Sequence, residues 1–352
     1  MFGRRTVIGG IGGLLAAPAL PAAAWPGSAT RPARLSLGDR VGLIAPASSD
    51  DEPHHLEAAQ QTVRGMGLVP VTGRHVADRY GYLSGTDRDR AADINALFAD
   101  PEVRAIFVIR GGWGSARLLP LIDWNVVRRH PKLLVGSSDT TALHLAIAAK
   151  AGFPSIHAPN VGNRWEAVSW DSFWRLAFTG ETPLLGRDGP DPGQPPGQNP
   201  GQDAAADRWR TTTIRAGKAR GRLLGGNLTV LATLMGTPWL PDFRGAILFL
   251  EDVGEAEYQI DRMLNQLALA GVLDRVAGVV FGQCTRCTSP YPGYAGFTLP
   301  QVLDQYLSRL RVPSFSGANF GHVSNQLSLP VGAEVEMDAD AGTIRLLHPI
   351  VR

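Results

Sequence analysis

Short unbroken apolar runs alternate along this chain with longer stretches in which apolar residues recur every three or four positions. Val41-Gly42-Leu43-Ile44-Ala45, Ala105-Ile106-Phe107-Val108-Ile109 and Leu133-Leu134-Val135 belong to the first kind. Continuous apolarity of that length suits strands covered on both faces. Between them, residues 53–66 and 88–99 read as helices, the second with Ala92, Ile94, Leu97 and Phe98 along a stripe. Residues 116–122 and 142–150 add two helical segments, and 68–71 and 154–156 two shorter strands. Strands taking turns with helices predict a parallel, helix-covered sheet. We therefore expect a Rossmann-like α/β domain over residues 36–180.

The alternation resumes at about residue 209. Gly225-Gly226-Asn227 precedes a helix over 228–235, and Ala246-Ile247-Leu248-Phe249-Leu250 is a buried strand that stops at Glu251-Asp252. Tyr258, Ile260, Met263, Leu264 and Leu267 give 257–270 a helical spacing. A strand over 276–281 and a helix over 301–310 follow. The end alternates Val335, Met337, Ile344 and Leu346 around Asp340-Ala341-Gly342, a hairpin pattern. These elements predict a smaller C-terminal α/β domain over 209–352 with a terminal β-hairpin. Residues 181–208 join the two halves. Their middle, 186–204, is dominated by Gly, Pro, Gln and Asp and cannot bury enough apolar surface to order itself, so it reads as a linker or surface insertion. Ligand sites of two-domain proteins often lie at the junction, where residues of both halves are expected to converge.

Composition narrows the class. A chain of 352 residues with 44% hydrophobic residues can bury a core large enough for two domains. Its formal charge of +2 comes without basic blocks, which leaves no nucleic-acid footprint. Arg4-Arg5, a Gly/Ala/Leu run and Pro21-Ala22-Ala23-Ala24 resemble a twin-arginine secretory signal over residues 1–24, cleaved near Ala24. Export to the periplasm follows from that reading. The alternatives are an uncleaved anchor, or a start further downstream and a cytoplasmic protein. Nothing after residue 30 is apolar for long enough to span a bilayer. The cysteines are Cys284 and Cys287, read as an incidental local disulfide or two inert thiols, because the following Thr288-Ser289-Pro290 reads as loop rather than a redox helix.

The candidate chemistry begins where the Leu133 strand runs into Gly136-Ser137-Ser138-Asp139-Thr140-Thr141 and a helix. A serine at such a turn is pushed out of the strand end, and the N–H groups of the next helix point at whatever it attacks. Acyl transfer by serine also needs a base, a group orienting the base, and donors for the oxyanion. Glu251 follows a second buried strand, and His322 sits in the glycine-rich loop Gly317-Ala318-Asn319-Phe320-Gly321-His322. Polar residues just past the carboxyl ends of buried strands tend to face the crevice of an α/β domain. Each also has a plain structural reading, as a helix cap, a solvated acid or a loop histidine. Thr140 stands where the Gly-x-Ser-x-Gly pattern of the α/β-hydrolases has its second glycine, so that pattern is not met.

Five strings, in order, resemble the motifs of the LD-carboxypeptidases: RGGWGSARLLPLIDW, VGSSDTT, GGNLTVLATLMGTPW, LFLEDVGEAEYQIDRMLNQL and GANFGHVSNQLSLPVG. This serine peptidase family includes muramoyl-tetrapeptide carboxypeptidase and the microcin C immunity carboxypeptidase, and the resemblance covers about residues 38–348. It implies a nucleophile at Ser138, with Ser137 replacing the family's usual aromatic residue, a triad acid at Glu251 and a base at His322. The oxyanion would lie between the amides of Asp139 and Gly112, and no metal or other cofactor is implied. The implied substrate is a muropeptide or short peptide with a C-terminal D-amino acid, cut at the L–D bond to release D-alanine. Arg110 is a candidate for the substrate carboxylate, or else pairs with an acid such as Asp139 to brace its turn. Trp113 and Asn227 are further candidate contacts, and a homodimer follows by analogy. Two rival readings stay open. One is a microcin-immunity-like peptidase cutting a peptidyl-nucleotide amide, which a deeper, aromatic-lined pocket would favour. The other is a periplasmic binding protein with no catalysis.

Overall fold

A computed structural model describes residues 31–49, 55–186 and 211–352. The signal peptide expected over 1–24 and most of the expected insertion lie outside the described residues. The first sheet has six strands: β1 (Arg40–Ile44), β2 (Val69–Thr72), β3 (Val103–Val108), β4 (Leu133–Gly136), β5 (Ser155–His157) and, from the far end of the chain, β12 (Leu329–Val331). Their order is β12-β5-β4-β3-β1-β2. β1 to β5 are mutually parallel, and β12 adds an antiparallel edge. The apolar runs seen in the sequence are the central strands; β4 is buried at all four residues. Strand order reverses between β1 and β3, the place where an open parallel sheet leaves a crevice at its carboxyl edge.

The second sheet has eight strands, β6 (Leu184–Gly186), β7 (Thr212–Arg215), β8 (Lys218–Asn227), β9 (Ile247–Val253), β10 (Gly278–Thr285), β11 (Ser314–Ser316), β13 (Glu334–Asp338) and β14 (Thr343–Leu346), in the order β6-β14-β13-β8-β9-β10-β11-β7. Its centre, β8 to β11, is parallel. β7 closes one side antiparallel to β11. The expected hairpin, β13 with β14, pairs with β8 on the other, with Val335, Met337, Ile344 and Leu346 buried. A shared apolar core ties the sheets together: Ile44 and Leu134 cluster with Leu145, Leu231, Leu248, Leu250 and Phe281. The crevice floor therefore rests on both halves.

Several expectations are corrected. The second sheet is the larger one, because residues around 212–227 form β7 and β8, whose mixed polar pattern hid them. Leu184–Gly186 is β6, paired with β14, so the start of the expected linker belongs to the sheet. Residues 116–122 form only a 3-10 turn, Ser115–Leu118. Leu119 is still helical, but Pro120 has no N–H to donate to Ala116 O, so the turn does not continue as a helix. Asp123 then starts a separate helix, Trp124–Arg129, its carboxylate accepting from Asn125 and Val126 N–H.

Candidate active site

Ser138 is delivered by the exit of β4. The strand ends at Gly136, Ser137 N donates to Asn160 Oδ1 at 3.0 Å, and Ser138 adopts φ of 62°, left-handed backbone that a non-glycine residue adopts at a cost. A 3-10 turn, Ser138–Thr140, feeds the helix Thr141–Lys150. Neither Ser137 nor Thr140 makes a side-chain capping bond, so the plain helix-cap reading does not describe this turn. Close approach fixes two glycines here. A Cβ on Gly136 would come within 2.8 Å of Asn160 Oδ1 and 2.9 Å of Val108 Cβ, and one on Gly111 within 2.9 Å of Ser138 Cβ. Behind the turn, fully buried His144 donates from Nε2 to Gly136 O at 2.9 Å and accepts at Nδ1 from Ser155 Oγ at 2.7 Å. Burial pushes its pKa down to about 3 and keeps it neutral.

Glu251 stands inside β9, which runs on to Val253 rather than stopping before the acid pair. Fully buried, it accepts at Oε2 from His322 Nδ1 at 2.7 Å. On the other side of the imidazole, His322 Nε2 lies 3.0 Å from Ser138 Oγ and accepts its hydrogen. The two bonds fix the tautomer, with the proton on Nδ1. Burial presses the His322 pKa down, but the hydrogen bond and charge of Glu251, with Asp252 behind it, outweigh burial and leave it raised above 6.5. Serine, imidazole and carboxylate thus stand in one hydrogen-bonded series, drawn from both sheets and a loop.

A cavity of about 990 Å³ opens over this series, lined by Ser137, Ser138 and His322 together with Arg110, Gly111, Gly112, Asn160, Arg164, Glu166 and Gln326. Gly112, with φ of 111°, lies on its wall. The Asp139 amide follows Ser138 directly, while the Asp139 side chain turns away, buried, to accept from Ser115 N at 2.7 Å. Arg110 is on the cavity wall and donates from Nη1 to Ser49 O at 2.9 Å. The pairing of Arg110 with Asp139 considered from sequence is not what braces the glycine turn. Arg90 does that, donating to the carbonyls of Pro46 and Gly114 while ion-paired with Asp87.

Two candidate contacts fall elsewhere. Trp113 is not among the lining residues; it is 39% exposed, and its backbone N–H donates to Ser48 Oγ. Asn227 is buried and spent on structure: its Oδ1 accepts from Val230 N as a helix cap, and its Nδ2 donates to Asp252 Oδ1 at 2.9 Å. Asp252 also accepts from Thr229 N and Oγ1, and burial, reinforced by the charge of Glu251, raises its pKa to about 6. Sequence reasoning missed Asn160, Arg90 and His157. His157, buried beside Phe249 with both ring nitrogens unpartnered among the described residues, feels the charges of Glu251 and His322. Among the described residues one group, His75 with Asp78 and Asp89, has metal-ligand spacing, and it lies apart from the cavity lining. Cys284 and Cys287 are joined as a disulfide.

The fold and site define an α/β protein with a strained serine turn and a histidine–carboxylate pair meeting it across two sheets. Residues 41–158 match the LD-carboxypeptidase N-terminal domain and residues 220–337 the LD-carboxypeptidase C-terminal domain. The chain belongs to the LD-carboxypeptidase family. It is 39% identical over 327 residues to a Streptomyces coelicolor protein that carries a carboxypeptidase name, covering 91% of this chain and 96% of that one. A Bacillus subtilis protein named as a probable murein peptide carboxypeptidase is 35% identical over 308 residues, covering 88% and 91%. Among solved structures, MccF in complex with glutamyl sulfamoyl guanosine superposes with a TM-score of 0.77 at 25% identity, covering 92% of this chain and all of that one.

Proposed function

We propose that this protein is a serine-type LD-carboxypeptidase that releases the terminal D-alanine from peptidoglycan tetrapeptides. The observation that carries the proposal is the Ser138–His322–Glu251 series at the floor of an open cavity. In this reading His322 takes the Ser138 proton while Glu251 holds the imidazole tautomer and stabilises its charged form. Ser138 then attacks the carbonyl before the terminal D-residue. The protonated His322 donates to the leaving amine, and water, activated by the same imidazole, releases the acyl-enzyme. The amides of Gly112 and Asp139 receive the oxyanion, where losing one donor costs about 3 kcal/mol of transition-state stabilisation. A carboxypeptidase must also hold a free carboxylate, and Arg110 on the cavity wall is assigned that role, anchored by its bond to Ser49 O.

The murein name of the Bacillus subtilis relative supports the peptidoglycan substrate. A peptidyl-nucleotide amide is the second reading, favoured by the likeness to MccF. Arginine, asparagine and glutamine side chains on the wall suit a charged peptide better than a stacked nucleobase. Incubating the purified protein with a muropeptide tetrapeptide and, separately, with an aminoacyl sulfamoyl adenylate separates the two by mass spectrometry. Loss of one alanine mass from the tetrapeptide supports the first reading; cleavage of the adenylate alone replaces it with the second. D-alanine release that survives Ser138→Ala would expose a contaminant and leave a binding protein. We also read the chain as exported through its N-terminal signal, and periplasmic recovery of the protein fused to a reporter tests that.

A further inference from the structure

The loop that carries His322 has no regular secondary structure between Gly317 and Ser328. Some of its backbone carbonyls find donors within the loop, as Asn319 O does in Leu327 N, and others need partners from elsewhere. Around His322 the end of β10 supplies them. Gln283 N donates to Phe320 O at 2.9 Å, and Gln283 Nε2 donates to Gly317 O at 2.9 Å and Ala318 O at 3.3 Å. Two residues on, Thr285 Oγ1 donates to the carbonyl of His322 itself at 2.8 Å. Thr285 ends β10, and the chain turns at once through Arg286, whose φ of 56° is left-handed. The Cys284–Cys287 disulfide spans that two-residue turn, with the Cys287 side chain buried. The turn touches the acid strand as well: Thr285 O accepts from Gly254 N at 2.9 Å, just past the end of β9.

We propose that Thr285 and the Cys284–Cys287 disulfide are a positioning brace for the His322 base. The covalent link fixes the turn, the turn aims the Thr285 hydroxyl, and the hydroxyl holds the His322 backbone against Ser138. Neither element touches substrate; both act through His322, so the inference rests on the proposed role of that residue. An oxidising compartment lets such a bond form and persist. Opening it takes two electrons and two protons from a dithiol reductant: the sulfur–sulfur bond breaks, two thiols form, and the reductant leaves as its own disulfide. Placement errors of about 1 Å can cost on the order of 100-fold in rate, so opening the brace lowers turnover and leaves substrate affinity alone.

The test uses the mature full-length chain and two readouts. One is kcat and KM for D-alanine release from a tetrapeptide; the other is the rate at which a fluorophosphonate labels Ser138, which needs an activated serine but no muropeptide. Thiol titration of the denatured, unreduced protein should find no free thiol. Reduction with dithiothreitol, the Cys284→Ser/Cys287→Ser double variant and Thr285→Val are each expected to lower kcat and the labelling rate about 10- to 100-fold, with KM within about 3-fold. Thr285→Ser, which keeps the hydroxyl, should stay near wild type, and reduction should add nothing to the double variant. Because Thr285→Val leaves the disulfide in place, it decides the matter even where removal of the cysteines impairs folding. Wild-type labelling in Thr285→Val, full activity of the reduced protein, or two free thiols in the untreated protein would each overturn the brace. Labelling that follows these changes in a protein that releases no D-alanine would keep the brace and remove the substrate assignment.

Discussion

The turn that carries Ser138 and the loop that carries His322 meet at 3.0 Å, yet opposite means hold them. Ser138 sits between two regular elements, a four-residue strand buried throughout and a helix of mostly buried residues. Glycines without room for a Cβ and the neutral His144 fix the strand exit. The His322 loop has no element of its own: Phe320 is buried against Phe249, and from there the side chains of Gln283 and Thr285 hold the carbonyls around His322. The position of Ser138 is thus a property of the fold. The last step from the buried Phe320 to His322 depends on polar contacts, which can be removed without opening the core.

Catalysis should treat the two regions alike. Ser138→Ala and His322→Ala are each expected to cut kcat by about 10⁴- to 10⁶-fold in D-alanine release while the thermal transition stays put, as for residues that act as a unit. Activity near wild type in either variant removes the triad assignment.

Glu251→Gln should cost about 10⁴-fold, because a neutral amide no longer fixes the tautomer or stabilises the imidazolium. It also gives a pH signature. His322 must be neutral to accept the serine proton, so kcat/KM falls as pH drops through the His322 pKa. Glu251 and Asp252 raise that pKa against the pull of burial, which places the acid limb of the wild type above 6.5. Removing the charge of Glu251 leaves burial less opposed, and the limb of the residual activity moves to lower pH. A limb that stays in place, or moves upward, contradicts the assigned electrostatics.

Smaller substitutions should separate the turn from the loop. Gly136→Ala forces a methyl against Asn160 and Val108 and is expected to cost about 1–3 kcal/mol of stability together with activity. Gln283→Ala takes the side-chain donor from Gly317 O, while Ala318 O keeps its bond from Phe320 N, and should cost about 1 kcal/mol or less, yet lower kcat about 10-fold. Denaturant melts beside kinetics would show the contrast. Equal stability losses in the two variants would mean that the loop is as much a part of the core as the turn.

The same division explains what was legible in the sequence. Continuous apolar runs announced β1, β3, β4 and β9, because strands buried on both faces leave no other pattern. The serine turn, Glu251 and His322 stood out at the ends of such runs or in glycine-rich loops, and family motifs ordered them. β8 stayed hidden since its first half, Lys218 to Arg222, alternates charge with small residues and reads as loop. Asn227 meets Asp252, Arg90 meets Gly114 and Thr285 meets His322 across 24 to 37 residues of chain. A short polar residue looks the same in sequence whether it caps a helix, braces a turn or faces a ligand. Asn227 shows the cost of that ambiguity, being offered as a substrate contact and found buried against Asp252.

Ser137 is the residue where the two regions blur. Its backbone belongs to the turn, held by Asn160, while its side chain lines the cavity. The family resemblance implies an aromatic residue at this position, so a serine leaves space on the wall that a ring would fill. Ser137→Phe adds that ring beside Ser138 and leaves in place the Ser137 N–H, which donates to Asn160. Stability should change by less than about 1 kcal/mol, since the added surface faces the cavity rather than a packed core. The kinetic effect should fall on KM, by a few-fold, and differ between tetrapeptides with different third residues, with kcat nearly unchanged. A large loss of kcat instead would show that the serine is needed to let the nucleophile reach its left-handed backbone. In that case the pocket wall and the strained turn are a single device.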